Sequence, residues 1–133
     1  MKYLLDTHVL LWALFDERKI PSKTASVIEN PQNEIVVSVI TYWELSLKYA
    51  LGKLELKGIL PEELQQTAEH IGFETLPLSP ADAISFYRLP RIKHKDPFDR
   101  LIIWQAICQN LTLISKDSFA KRYKKFGLKL LWE

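Results

Sequence analysis

Short apolar runs alternate along this chain with longer segments in which apolar residues recur at helical spacing. The strand-like runs are Lys2–Leu5, Ile35–Ser38, Phe73–Leu78, Leu111–Ser115 and Leu128–Trp132. The helix-like segments are Thr7–Phe15, Pro21–Asn30, Val39–Leu51, Pro61–Ile71, a helix that starts at Ser79-Pro80, Pro97–Gln109 and Ser118–Tyr123. Strands separated by helices are typical of a parallel sheet that carries helices on both faces. The pattern therefore predicts one α/β domain that extends over residues 1–133.

The composition is that of a globular protein. Of the 133 residues, 47% are apolar and 26% are charged, which excludes a disordered chain. The chain contains no apolar stretch of about 18 residues, so we expect no membrane span. The apolar start Met1–Leu5 is too short for a secretory signal, and the single cysteine, Cys108, excludes an internal disulfide framework. We therefore expect a soluble cytoplasmic protein in which Cys108 is buried and inert. Trp12, Trp43 and Trp104 fall on apolar faces of helix-like segments, so we also expect them in the core.

The positive charge is concentrated in the second half of the chain. The net charge is only +2, but residues 67–133 hold 11 Lys or Arg against 7 Asp or Glu. The excess lies in two clusters, Arg91–Lys95 and Lys121–Lys125. These clusters would attract a polyanion such as a nucleic acid. They are equally compatible with two basic faces that are simply solvated.

Four carboxylates lie where strand-like runs end or helix-like segments begin. Asp6 follows the first apolar run, Glu44 comes shortly after the second, Asp99 opens the long segment from Pro97, and Asp117 follows Leu111–Ser115. The carboxyl ends of parallel strands share one edge of the sheet, and ligands bind there. We therefore expect these acids, although distant in sequence, to lie close together.

Each acid also has a purely structural explanation. Asp6, Asp96 and Asp117 are suitable N-caps for the helices that follow them. Glu44 completes a capping-box pattern that starts at Thr41. Helix capping does not require the caps to converge, so the local patterns leave both explanations open.

A convergence of these acids would have a specific chemical consequence. Carboxylates a few ångströms apart repel one another and raise one another's pKa. A hard divalent cation, Mg²⁺ or Mn²⁺, relieves this repulsion because it prefers oxygen ligands. Such a cation can polarise a phosphate and activate a water, so the pattern favours phosphodiester hydrolysis. The chain lacks the G-x-S-x-G, C-x-x-C and H-E-x-x-H motifs, and its histidines are isolated, with His94 expected to be exposed on a loop.

Several motifs together resemble the PIN-domain ribonucleases, and specifically the VapC-like toxins of bacterial toxin–antitoxin pairs. They are L-L-D-T-H-V-L-L-W from Leu4, S-V-I-T-Y-W-E-L-S-L-K from Ser38, L-P-R-I-K-H-K-D-P-F-D-R from Leu89, and S-K-D from Ser115. The resemblance extends over nearly the whole chain. It implies a three-layer α/β/α sandwich with a central parallel sheet.

The resemblance also implies a function and a set of site residues. The family cleaves single-stranded or looped RNA with Mg²⁺ or Mn²⁺ held in an acidic pocket. The matching catalytic and metal-site acids are Asp6, Glu44, Asp99 and Asp117, and the supporting residues are Thr7, Asp96 and Ser115. Family members typically form homodimers, and a cognate antitoxin holds them inactive by covering the pocket.

The sequence also contains basic residues that could contact RNA. The basic candidates for phosphate contact are Lys48, Arg91, Lys93, Lys95, Arg100, Lys121 and Arg122.

Two other functions are compatible with the same sequence. One alternative to a nuclease is a non-catalytic nucleic-acid-binding module, although such a module gains nothing from four acids beside its ligand. The other is a metal-dependent phosphatase or receiver-like domain, for which Lys116 beside Asp117 would be the supporting lysine.

Overall fold

The computed structural model describes all residues from Met1 to Glu133. The strands are β1 (Lys2–Leu5), β2 (Glu34–Ser38), β3 (Glu74–Leu76), β4 (Thr112–Ile114) and β5 (Lys129–Leu131). The α-helices are α1 (Thr7–Phe15), α2 (Ser22–Glu29), α3 (Val39–Ala50), α4 (Pro61–His70), α5 (Pro80–Ser85) and α6 (Pro97–Cys108). Short 3₁₀ helices span Glu17–Lys19, Phe86–Arg88 and Ser118–Phe126. The predicted elements are present, and the last predicted α-helix is a 3₁₀ helix.

The five strands form one parallel sheet in the order β3-β2-β1-β4-β5. At the carboxyl end of the central strand β1, Leu5 is in register with Val37 of β2 and with Ile114 of β4. The amide of Asp6 continues the ladder by donating to the carbonyl of Ile114 at 3.1 Å. The residues that follow β1, β2 and β4 therefore lie side by side at one edge of the sheet.

Alternate side chains of the strands enter two separate cores. Leu5 and Val37 pack with residues of α1 and α4 on one face of the sheet. Leu4 and Val36 pack with α6 and with the Ser118–Phe126 helix on the other face. Because a strand buried on both faces must be apolar throughout, this packing explains the continuous apolar runs in the sequence. The predicted three-layer α/β/α sandwich is confirmed.

Two helices begin directly after their strands, and this sets where the site residues lie. Asp6 caps α1, and its carboxylate accepts the amide of Val9 at 2.9 Å. Ser38, the last residue of β2, caps α3 by accepting the amide of Ile40. The predicted capping box from Thr41 to Glu44 is therefore wrong: the helix starts without any intervening loop, and both residues lie inside it.

Two further expectations about burial are wrong. Cys108 is exposed because it lies on the side of α6 opposite to the buried residues Ile102, Ile103 and Ala106. Trp43, expected in the core, is 59% exposed on α3 and packs edge-on against Phe98 at 5.2 Å. None of the helices combines the length and the apolar character that crossing a bilayer requires.

Candidate metal centre

Asp99 lies at the centre of a group of carboxylates at the carboxyl edge of the sheet. Its side chain belongs to two overlapping sets of potential ligands, in each of which the ligand atoms lie within 4.8 Å of one another. One set is Glu44, Asp96 and Asp99, and the other is His94, Asp99 and Asp117. Asp6 lines a small pocket together with Asp99 and Asp117. The structure thus brings the four predicted acids and Asp96 together, and it adds His94.

Helix capping fixes three of these acids in place. Asp6 caps α1, and Asp96 caps α6 by accepting the amides of Phe98 at 2.9 Å and Asp99 at 3.3 Å. Asp117 accepts the amide of Phe119 at 2.9 Å, and its own amide donates to the buried Ser115 hydroxyl at 3.0 Å. In each case the cap occupies the Oδ1 atom. Capping and ligand binding can therefore use different oxygens of the same carboxylate.

The carboxylate of Glu44 has one hydrogen-bond partner at each of its two oxygens. The residue is 2% exposed, its Oε1 accepts the Thr7 hydroxyl at 2.7 Å, and its Oε2 accepts the Lys48 ammonium at 2.5 Å. A buried carboxylate is costly unless it is hydrogen-bonded and paired with a cation. Lys48, predicted as a phosphate contact, therefore acts in this structure as the partner of a buried acid.

The pKa values of Asp99 and Asp6 are raised, which shows that their ionised carboxylates are poorly stabilised in the metal-free protein. Burial, with smaller contributions from the neighbouring carboxylates Asp96 and Glu44, raises the pKa of Asp99 to about 6. Burial also raises the pKa of Asp6, with a smaller contribution from Asp117. Oxygen donors at this spacing, with too little compensating charge, match the preference of Mg²⁺ or Mn²⁺. The residues present therefore fit a divalent cation.

His94 is the site residue that sequence reasoning placed wrongly. It was expected on an exposed loop, yet it is only 7% exposed. Its Nε2 lies 3.3 Å from Oδ2 of Asp99, its Nδ1 lies 3.3 Å from the Tyr123 hydroxyl, and its ring stacks on Phe119 with 5.0 Å between centroids. The groups that bury it come from the Ser118–Phe126 helix, so the local sequence around His94 held no signal of its burial.

Five of the seven basic candidates are exposed, on two segments of the chain. Arg91, Lys93 and Lys95 are exposed on the loop that leads to Asp96, and Lys121 and Arg122 are exposed on the last 3₁₀ helix. This arrangement places two exposed basic segments beside the acids.

Arg100 differs from the other basic candidates. Its Nη2 donates to the carbonyls of Leu89 at 3.1 Å and Pro90 at 3.3 Å, and its guanidinium lies over the ring of Phe86. These contacts engage Arg100 in holding the start of the loop, and its contact with phosphate stays a prediction.

An open cleft of about 450 Å³ adjoins the acids. Its lining residues are Asp6, His8, Trp12, Asp99, Lys116 and Asp117. The carboxylates thus border a solvent-accessible space that also carries a cationic and an aromatic side chain. Such a cleft can admit an extended polyanion to the acids.

Comparisons with known proteins agree with this architecture. The family model described as PIN domain matches residues 3–125. Ribonuclease VapC22 of Mycobacterium tuberculosis is 32% identical over 114 residues, which cover 86% of this chain and 85% of the relative.

Solved structures share the fold at lower identity. One is the structure of VapBC2 from Rickettsia felis bound to a DNA fragment from the VapBC2 promoter. It superposes with a TM-score of 0.68 at 22% identity and covers 100% of both chains. The VapBC-1 structure from nontypeable Haemophilus influenzae superposes with a TM-score of 0.68 at 20% identity, covering 98% of this chain and 97% of that chain. The chain therefore belongs to the PIN-domain family, and within it to the VapC-like group.

Proposed function

We propose that this chain is a metal-dependent endoribonuclease that acts as the toxin of a toxin–antitoxin pair. The observation that carries the proposal is the carboxylate cluster around Asp99, which borders an open cleft and in which the pKa of Asp99 is raised to about 6. The similarity to Ribonuclease VapC22 supports RNA as the substrate. The whole of residues 1–133 would serve as a single nuclease domain in the cytoplasm, where its substrate is found.

The proposed metal ligands are the four acids Asp6, Glu44, Asp99 and Asp117. The supporting residues are Thr7, Asp96 and Ser115, which hold or cap their neighbours. A bound Mg²⁺ or Mn²⁺ would supply positive charge to a phosphate oxygen and favour deprotonation of a water.

The protein's own residues would position the substrate and the attacking water. Lys116 borders the cleft and would contact the RNA backbone beside the acids. The exposed basic residues on the two flanking segments would hold the adjoining phosphates, which orients one phosphodiester for attack. Glu44 would act either as a further ligand or as the acceptor of a hydrogen bond from the attacking water, which directs the water oxygen at phosphorus.

The same proposal includes a cognate antitoxin and a homodimer. The superposed VapBC structures support an antitoxin as a partner. An apolar row on α3 supports the dimer, since apolar side chains at helical spacing are exposed there. The row consists of Val39, Trp43 and Leu47 on α3 and of Leu51 directly after it, which are 39%, 59%, 40% and 59% exposed.

RNA cleavage by the purified chain tests the proposal. Single-stranded RNA of mixed sequence is incubated with the protein in Mg²⁺, in Mn²⁺ or in EDTA, and the new RNA ends are sequenced. We expect defined internal ends in one or both metals and none in EDTA. Tight RNA binding in EDTA without cleavage in either metal would instead identify a nucleic-acid-binding module.

A further inference from the structure

His94 is buried, although the basic residues of the same loop are exposed. Arg91, Lys93 and Lys95 point to solvent, whereas His94 is 7% exposed. The loop is held at its start by Arg100, which donates to the carbonyls of Leu89 and Pro90. A polar ring that is buried on an anchored loop needs hydrogen-bond partners.

Both ring nitrogens of His94 have partners, and together these partners select one tautomer. Asp99 is an acceptor when ionised, so Nε2 of His94 must carry the hydrogen and donate to Oδ2 across 3.3 Å. In the neutral ring Nδ1 then has a free lone pair, which the Tyr123 hydroxyl fills by donating across 3.3 Å. Asp99 therefore sets the direction of the chain of hydrogen bonds, and the fully buried Tyr123 completes it at the other ring nitrogen.

Packing fixes the plane of the ring as well as its hydrogen bonds. The rings of His94 and Phe119 are stacked, with an interplanar angle of 5° and 5.0 Å between centroids. The Tyr123 ring lies edge-on to His94 at 5.9 Å. His94 is thus confined between side chains of the last 3₁₀ helix, so its Nε2 is held toward Asp99.

We propose that His94 is a positioning residue, which Tyr123 orients and which holds the Asp99 carboxylate in the geometry that a divalent cation requires. His94 occupies Oδ2 of Asp99 and leaves Oδ1 for the ligand. Partners of this kind typically change metal affinity or activity by about 10–100-fold when removed. The inference rests on the proposed function, because it deepens the role of Asp99 in the same site.

Two substitutions of His94 test the hydrogen bond to Asp99, because one keeps a donor at the position of Nε2 and the other does not. The amide nitrogen of glutamine takes the place of Nε2, and that of asparagine takes the place of Nδ1. We expect His94→Asn to lower kcat about 10–100-fold with little change in KM, and to weaken Mn²⁺ binding by a similar factor. We expect His94→Gln to retain most of both. Equal losses in the two variants, or no loss in His94→Asn, would overturn the proposal.

The metal-free protein provides an independent readout. Nitrogen NMR of the histidine rings at about pH 8, where an ordinary histidine is neutral, reports which nitrogen carries the hydrogen. We expect the Nε2–H tautomer for His94 in the wild-type protein and also in Tyr123→Phe, which keeps both the Asp99 acceptor and the aromatic packing. An Nδ1–H tautomer in the wild-type protein would overturn the proposal even if the RNA substrate were misidentified.

Discussion

Replacing Asp99 with asparagine is expected to abolish RNA cleavage while stabilising the metal-free protein. The change removes a carboxylate from the centre of both ligand sets, and cation-dependent charge stabilisation is worth several kcal/mol, so the rate should fall by about 10³-fold or more. Asparagine keeps the size of the side chain and an acceptor for His94. Cleavage rates at saturating Mg²⁺ and Mn²⁺ measure the loss.

The gain in stability follows from the raised pKa of Asp99. A rise from 3.8 to about 6 means that folding disfavours the ionised form. Because the side chain is 33% exposed, solvent screening reduces the gain to about 1 kcal/mol. Asp16→Asn is a matched control, since the Asp16 side chain is 31% exposed and pairs with Arg18 and Lys19 away from the cluster. Cleavage by Asp99→Asn within tenfold of the wild-type rate, or a loss of metal-free stability, would contradict this assignment.

The metal-free protein is expected to lose stability as the pH rises from about 4 to about 6, and a divalent cation should restore it. Between the unfolded pKa of 3.8 and the folded value of about 6, the native Asp99 binds more protons than the unfolded chain does. Its contribution is therefore fully present below the lower value and is lost as the pH passes the upper one. Because solvent screens this partly exposed side chain, Asp99 lowers the free energy of unfolding by about 1 kcal/mol over this pH range.

A cation competes with the proton for the same carboxylates, so its effect should depend on pH in the opposite sense. At a Mn²⁺ concentration about 100 times the Kd, binding adds about 2.7 kcal/mol to the free energy of unfolding. We expect this increment at a pH above 6 and a smaller one below it, where Asp99 is protonated. Denaturant unfolding at several pH values, with EDTA or with Mn²⁺, measures both effects. An increment that is independent of pH, or that is equally large in Asp99→Asn, would show that the cation binds elsewhere.

The sequence was sufficient for the architecture and for the convergence of the acids, because both follow from local patterns and one topological rule. Apolar runs located the strands, and Asp6, Asp96 and Asp117 proved to be the predicted helix caps. A parallel sheet whose strands lead directly into helices then places such caps at a common edge. The roles of Asp6, Glu44, Asp99 and Asp117 as metal ligands remain predictions.

The features that the sequence did not predict depend on contacts between distant segments. His94 is buried by Phe119 and Tyr123, which follow it by 25 and 29 residues in the chain. The exposure of Trp43 depends on which face of α3 meets the sheet. Arg100 turns toward the loop carbonyls because the loop passes over the start of α6. Each of these results depends on tertiary packing that periodicity does not encode.

The central claim is that these carboxylates hold the cation on which RNA cleavage depends, and Asp6 gives its most direct test. Asparagine is as good an N-cap as aspartate, so Asp6→Asn should keep α1 while removing a ligand charge. Mn²⁺ is titrated into the wild type, Asp6→Asn and Asp16→Asn, and binding and RNA cleavage are followed over the same concentrations. We expect binding and cleavage to rise together in the wild type and in Asp16→Asn, and both to be lost in Asp6→Asn. Wild-type cleavage in EDTA, or unchanged Mn²⁺ binding and cleavage in Asp6→Asn, would contradict the claim.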